Sequence, residues 1–358
     1  MKRTEWAVAP LGAHAMTPGA LCRPPRPLTL LSGSIRFVES AFYEPAGHDC
    51  YVATAATAGP WSPDAQHGGP PSALAARALE RHEPDDRQRL ARVTVDILRP
   101  IPVGKVSVRT RTVRPGRRIA LAEAVMEADG QEVLHARGWR IERPAGSVPV
   151  IADGGPPAPV PPEGNGTPPQ IFRRGDRGYL ASIEWRFMSA DFAELAASGR
   201  PAEPGRPAEP GCPAASGRPA ASGRPAEPGR PAEPGRPADV GPAAELAGQR
   251  ASTAQVRAAW TRPRIPLLPD EQSSPMSRVL LVADSGSGVG AALASTDFLF
   301  INVDLAVTLP RDPVGEWLLL ESATSVGADG TGLAMTKLSD QVGACGRAWQ
   351  TLLVAPRS

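Results

Sequence analysis

The sequence predicts an α+β protein in which one folding unit occurs twice, each unit a long antiparallel sheet wrapped around one central helix. Three observations predict it. Each half carries one helical stretch, 73–82 and then 274–284, followed by four strand-length runs. The runs alternate apolar and polar residues, as at Val93, Val95 and Ile97 and again at Val106 and Val108, which is the period of a strand with one buried face. An Asp-Gly pair, Asp129-Gly130 and then Asp329-Gly330, stands at the matching place in each half and signals a two-residue hairpin turn. A chain of 358 residues with 41% hydrophobic residues is long enough for two such units and can fill their cores.

The elements follow in order. Residues 1–33 read as a disordered extension or an overlong start: Met1 to Pro27 has early basic residues but no continuous apolar stretch of the kind a secretory signal needs. Ser34–Tyr43 and Cys50–Ala56 read as short strands. Gly68-Gly69-Pro70-Pro71-Ser72 leads into the Ala/Leu-rich helix 73–82, since proline in the first helical turn forfeits no hydrogen bond. The strand candidates are Leu90–Leu98, Gly104–Arg114, Arg118–Ala128 and Glu132–Glu142, completing a first domain over 34–143. The Pro/Gly-rich segment 144–175 reads as a linker. In a second domain over 176–358, Tyr179–Phe187 is expected as a strand, Trp260–Pro266 as extended chain and Ser274–Asp284 as the helix. Asp297–Leu309, Glu316–Val326, Gly332–Leu338 and Gly343–Val354 are its strands.

The second domain is interrupted by an insert at 199–248, of which 199–240 is seven tandem hexads of the GRPAEP type. With no large apolar residue before Val240, the hexads bury too little surface to offset chain entropy and are expected to be disordered. Loop-closure cost rises only logarithmically with length, so a surface loop tolerates such an expansion. The other reading of this tract is a Pro-rich partner-binding element.

Bulk properties narrow the function. Lys+Arg 39 against Asp+Glu 37 leaves a net charge of +2, and aromatics are 5%, so neither a nucleic-acid backbone nor a base-stacking platform is called for. No apolar run approaches the roughly 20 residues of a membrane span. Cys22, Cys50, Cys212 and Cys345 are too scattered for a metal-ligand pair or a disulfide framework, which fits a reducing, cytoplasmic compartment and no metal. Gly286-Ser287-Gly288-Val289-Gly290 lacks the spacing and the Lys of a phosphate-binding loop, and Asp284-Ser285-Gly286 does not match a Gly-x-Ser-x-Gly nucleophile elbow. What remains is an acid, an Asn and a Gln on elements able to meet in one pocket. A carboxylate takes a proton from water, and amides orient that water without changing charge. That set points to hydrolysis.

The ordered motifs carry a family resemblance. Gly59-Pro60-Trp61 and Gln66-His67-Gly68-Gly69-Pro70-Pro71-Ser72-Ala73-Leu74 lie in the first half. Ala283-Asp284-Ser285-Gly286, Asn302-Val303-Asp304-Leu305, Gly315-Glu316-Trp317-Leu318 and Gly346-Arg347-Ala348-Trp349-Gln350-Thr351-Leu352 lie in the second. Over about residues 34–198 and 249–358 the chain resembles the type II (TesB-like) acyl-CoA thioesterases with two tandem hotdog domains, the actinobacterial-type members most of all. The resemblance implies a double hotdog fold, acyl-CoA as substrate, no cofactor, and Asp284, Asn302 and Gln350 as the residues that hold the attacking water, Asp284 being the base.

The oxyanion needs preorganised donors, and the N–H groups near Gly68 and Gly69 or around Ser285 and Gly286 are the candidates. His67 is expected to set the turn before the helix or to line the pocket mouth. Asp304, two residues from Asn302, shares its face in a regular strand and is expected to make a structural hydrogen bond. Trp61, Trp317 and Trp349 are expected in core or interface. Arg99, Lys105, Arg114, Arg117, Arg118 and Arg347 are candidates for a docking rim for the phosphates of coenzyme A. Two other classes stay open: a hotdog enoyl-CoA hydratase or dehydratase, for which only His67 with Asp64 would serve, and a non-catalytic acyl-thioester binding protein. Two hotdog units form the basic pair within one chain, and a homodimer or higher oligomer is a further expectation.

Overall fold

The computed structural model describes residues 39–151, 160, 163–164, 166–174, 177–189 and 254–357. The expectations for the extension 1–33 and the insert 199–248, and most of the strand expected at 34–43, lie outside the described residues.

The first half contains β1 (Tyr43–Pro45), β2 (Cys50–Ala53), α1 (Gly69–Arg81), β3 (Gln88–Ile97), β4 (Lys105–Arg114), β5 (Ile119–Ala128) and β6 (Gln131–Glu142). A short α2 (Gly178–Ser182) precedes β7 (Ile183–Phe187) and β8 (Arg257–Pro263). Then come α3 (Pro275–Ala283), α4 (Gly286–Val289), β9 (Phe298–Asn302), β10 (Asp304–Thr308), β11 (Leu318–Val326), β12 (Thr331–Asp340) and β13 (Gly343–Pro356). Among the described residues every strand pairing is antiparallel, and the strands form one 13-stranded sheet in the order β1-β2-β4-β5-β6-β3-β10-β13-β12-β11-β8-β7, with β9 paired to β13 off this path. The order reads alike from both ends. The halves join at its middle, where Val95 of β3 lies opposite Leu305 of β10.

Both long helices start with proline in the first turn. Ser274 caps α3, its hydroxyl accepting from the Ser277 N–H at 3.1 Å. The apolar faces of α1 and α3 enter one core cluster that is continuous across both halves. The helices meet closely: the Ser277 hydroxyl donates to the Ala73 carbonyl, and a Cβ on Gly69 would stand 2.2 Å from the Leu281 carbonyl oxygen. Only glycine permits that approach.

The strand expected over Cys50–Ala56 ends at Ala53, because the chain turns as a 3-10 helix over Ala55–Thr57 capped by the Thr54 hydroxyl, and the helix expected from 73 already begins at Gly69. Three further expectations change. The Tyr179–Phe187 segment opens with α2 rather than strand, because Gly178 turns at φ +61° against the Ala58 carbonyl and buries Tyr179. The expected single strand Asp297–Leu309 is two strands broken at Val303. Asn302 pairs with Leu352 but Ala306 with Trp349, so one extra residue enters, a β-bulge, and the Val303 N–H still donates to the Thr351 carbonyl. Asn302 and Asp304 consequently do different things: the Asp304 carboxylate accepts from the Thr351 N–H at 2.5 Å, which is the structural bond expected of it. Third, Asp129-Gly130 forms the two-residue turn with both φ values positive, but Asp329-Gly330 belongs to a longer connection closed by the Gly327 N–H on the Thr331 carbonyl. The tight turn of the second half is Gln341-Val342, shaped by the Asp340 carboxylate accepting from the Val342 and Gly343 N–H groups.

Candidate active site

The C-terminal end of α3 meets the N-terminal end of α1, and Asp284 sits at that junction. It is buried, at 4% exposure, yet lines a pocket of about 630 Å³. Its Oδ1 accepts from Asn302 Nδ2 at 2.7 Å and from Gln350 Nε2 at 3.2 Å. Its Oδ2 lies 3.1 Å from His67 Nδ1. Glycine makes this approach possible: a Cβ on Gly68 would stand 2.7 Å from Oδ2. The N-terminal end of α1 also favours a carboxylate there through the helix dipole.

The halves contribute unequally. The second supplies Asp284, Asn302 and Gln350, and the first supplies His67 and Gly68. Gln350 is fully buried on β13 and lies behind the pocket. Its amide donates to the Asp284 carbonyl at 3.0 Å, and its Oε1 accepts from the Ser287 N–H at 3.0 Å. It therefore holds Asp284 and the turn after α3 in place, rather than meeting the pocket itself. Asn302 does line the pocket, and the bulge at Val303 sets its side chain toward Asp284.

The His67 ring stacks on Tyr179, centroids 3.7 Å apart and planes within 5°. The Tyr179 hydroxyl donates to the Leu281 carbonyl at 2.8 Å and pairs with the Ser285 hydroxyl at 2.9 Å. Burial lowers the His67 pKa below the ordinary imidazole value, against the raising pull of Asp284, and burial drives the Tyr179 phenol far above its usual range. His67 Nδ1 faces both the Gly69 N–H and Asp284 Oδ2, each at 3.1 Å, and a neutral ring serves only one of them: with its proton on Nδ1 it donates to Asp284, gives up the bond from Gly69, and leaves the Nε2 lone pair free of any partner among the described residues.

Of the sequence-derived donors, the Gly69 N–H points at His67 Nδ1 and the Ser285 N–H at the Val282 carbonyl. Gly286 packs against Thr336 and, with Gly69, does not line the pocket. Gly68 does line it, and nothing among the described residues accepts from its N–H.

Of the rim candidates, Arg99 alone lines the pocket. Trp61 sits at its mouth with Arg357 over the ring at 5.2 Å, whereas Trp317 lies under Arg186 and Arg262 and Trp349 on the open sheet face. The sequence reading missed Tyr179, Phe172 and Arg357. Tyr179 was hidden in a presumed strand and Phe172 in a presumed linker. The one usable signal was the bunching of scarce aromatics at Phe172, Tyr179, Trp185 and Phe187.

The acyl-CoA thioesterase N-terminal domain model matches residues 57–141, and the acyl-CoA thioesterase C-terminal domain model matches 208–354. No curated protein sequence matches the chain. Among solved structures, an acyl-CoA thioesterase II TesB2 from Mycobacterium marinum is 15% identical with a TM-score of 0.51, covering 88% of this chain and 95% of that one. A TesB protein of Mycobacterium avium subs paratuberculosis is 14% identical with a TM-score of 0.53, covering 88% and 97%. A protein with hot dog fold from Alicyclobacillus acidocaldarius is 13% identical with a TM-score of 0.54, covering 91% and 99%. These structures are similar in fold, and the two domain models, in tandem over well more than half of the residues, show that the chain belongs to the acyl-CoA thioesterases that those models describe.

Proposed function

We propose that the acyl-CoA thioester hydrolysis of this family is carried out here by a water molecule that Asp284 activates, with Asn302 orienting that water and Gln350 fixing the carboxylate. The observation that carries the reading is the Asp284 carboxylate itself: it is buried, held by two amides and an imidazole, and open to a largely apolar pocket. Water attacks the carbonyl carbon, Asp284 takes its proton, and the negative charge on the carbonyl oxygen falls to the Gly68 N–H. The C–S bond then breaks and the coenzyme A thiolate leaves with a proton. Arg99 and Trp61, which both line the pocket, and Arg357 over the Trp61 ring support docking of the coenzyme A end at the mouth.

The His67 contact favours a second assignment of the same reaction, in which His67 Nε2 takes the proton and Asp284 orients the ring. Thiol release from acyl-CoAs of short, medium and long chain tests both. Loss of turnover in Asp284→Asn with His67→Gln still active supports Asp284 as base. Loss in both, with acyl-CoA still bound, moves the proton to His67. Full activity in Asp284→Asn sinks the site.

In the same reading, residues 34–143 and 176–358 are the two hotdog units, each sheet wrapped around α1 or α3, with 144–175 linking them and 199–248 an insert. The buried faces of both helices support it. Coenzyme A esters as substrate favour the cytoplasm. The open apolar face of β9, β12 and β13, with Ile301, Met335 and Leu353, favours a homodimer.

A further inference from the structure

The pocket has two unlike ends. At the mouth, Trp61 is 43% exposed and carries Arg357 over its ring. The inner end is apolar and better covered: Leu180 is buried, and Ile171, Phe172, Gly288 and Ala291 join it. There the walls touch. A Cβ on Gly288 would stand 3.3 Å from Phe172 Cε2, 3.4 Å from its Cζ and 3.8 Å from Ile171 Cγ2. The tip of the Phe172 ring is thus seated against the backbone of α4, with space for no more than a methyl group between them.

Phe172 is also held from behind. Its ring meets Trp185 edge-on at 4.7 Å and 65°, and Phe187 at 4.9 Å and 68°. Such edge contacts fix ring orientation as well as burying area. Trp185 in turn donates its indole N–H to the Leu180 carbonyl at 3.0 Å. A floor backed in this way cannot swing aside at little cost, because close-packed side chains have nowhere to go.

We infer that Phe172, seated against Gly288, is the floor of the acyl arm and sets the longest straight aliphatic chain that the site accepts. The inference rests on the proposed hydrolysis. An unbranched acyl group suits an arm lined by Ile, Phe, Leu and Ala with no charged side chain at its inner end. Its thioester carbon stays beside Asp284 and its coenzyme A leaves past Trp61. Trimming the floor lengthens the arm. A methyl on Gly288 takes up the remaining gap, with the Phe172 ring giving by a few tenths of an ångström toward the arm, and the φ of Gly288 lies outside the left-handed region, so the backbone accepts that change.

The test measures kcat/KM for thiol release over straight-chain acyl-CoAs from four to eighteen carbons, in wild type, Phe172→Ala, Phe172→Leu and Gly288→Ala. In Phe172→Ala the preference for chains two carbons beyond the wild-type optimum rises about 10-fold or more relative to that optimum, the usual discrimination per methylene in an apolar pocket. In Gly288→Ala the optimum moves the other way, toward shorter chains. Phe172→Leu, which keeps an apolar anchor, gives the same direction with smaller size and serves if Phe172→Ala does not fold. An optimum that stays put in the folded variants, or activity that falls evenly across the panel, overturns the assignment. Absence of turnover in the wild type on every acyl-CoA sinks the hydrolysis itself, which is a separate outcome.

Discussion

The two long helices end in the same topological place and meet opposite fates. At the end of α1, Arg140 reaches over from β6, the last strand of the first half. Its guanidinium donates to the carbonyls of Leu79, His82 and Glu83. At the end of α3, Gln350 reaches over from β13, the last strand of the second half, and donates to the carbonyl of Asp284. A guanidinium supplies five donors and no acceptor, so it satisfies the open carbonyls and closes that helix end. A neutral amide takes one carbonyl and returns one acceptor to the Ser287 N–H, leaving the adjacent carboxylate facing a pocket. The next residue matters as much: His82 caps α1 with its ring held between Thr110 and Thr112, while Asp284 caps α3. A duplicated fold therefore offers one helix end twice, and the residues around it close one end and leave the other open to the pocket of the proposed site.

Four substitutions or titrations sharpen this contrast. The largest effect belongs to Asp284→Asn, which keeps shape and loses the base: kcat falls about 10²–10⁴-fold with the folded signal intact. Next is Gly68→Ala. Its Cβ would lie within 3 Å of all three carboxyl-group atoms of Asp284, and displacement of a catalytic group by about 1 Å costs about 10²-fold in kcat/KM. Circular dichroism on the same sample checks that the helices persist.

Arg140→Met in the first half separates brace from site. It leaves three carbonyls of a helix end without their donor and lowers stability by about 2–4 kcal/mol by urea unfolding, with kcat of the folded fraction unchanged. A fall in kcat equal to that of a second-half variant would merge the two ends into one functional unit and break the comparison.

The smallest effect is on pH dependence. Protonating His67 places a positive charge beside the Asp284 carboxylate, which weakens it as a base, and removes the Nε2 lone pair, so activity is lost as pH falls through the His67 pKa. Burial sets that pKa below the usual value, against the raising effect of Asp284. The acid limb of kcat/KM therefore has its midpoint below about 6.5, and a limb above that value overturns the assignment of a neutral, buried ring. The shift works on stability in the same direction. The unfolded chain binds the proton more readily than the folded one, so stability falls as pH drops below about 6.5.

Much of this was legible in the residues. The strand period at Val93, Val95 and Ile97, the prolines opening both helices and the positions of Asp284, Asn302 and Gln350 are local or motif-borne signals. So was a structural role for Asp304, although for a different reason: a regular strand would put both residues on one face, and the bulge at Val303 is what sends Asn302 inward and Asp304 to the Thr351 N–H and hydroxyl. A bulge depends on how two distant strands register, which no local pattern records.

By itself the sequence determined which residue types were present for hydrolysis, and roughly which elements bear them. Only the tertiary structure decided that Gln350 braces while Asn302 faces the pocket, that His67 joins Asp284 across the two halves, and that Phe172 closes the inner end. Periodicity reports the face on which a side chain emerges. Which partner it meets depends on contacts between residues as far apart as Gly68 and Asp284, and these exist only once α1 and α3 have packed side by side and antiparallel.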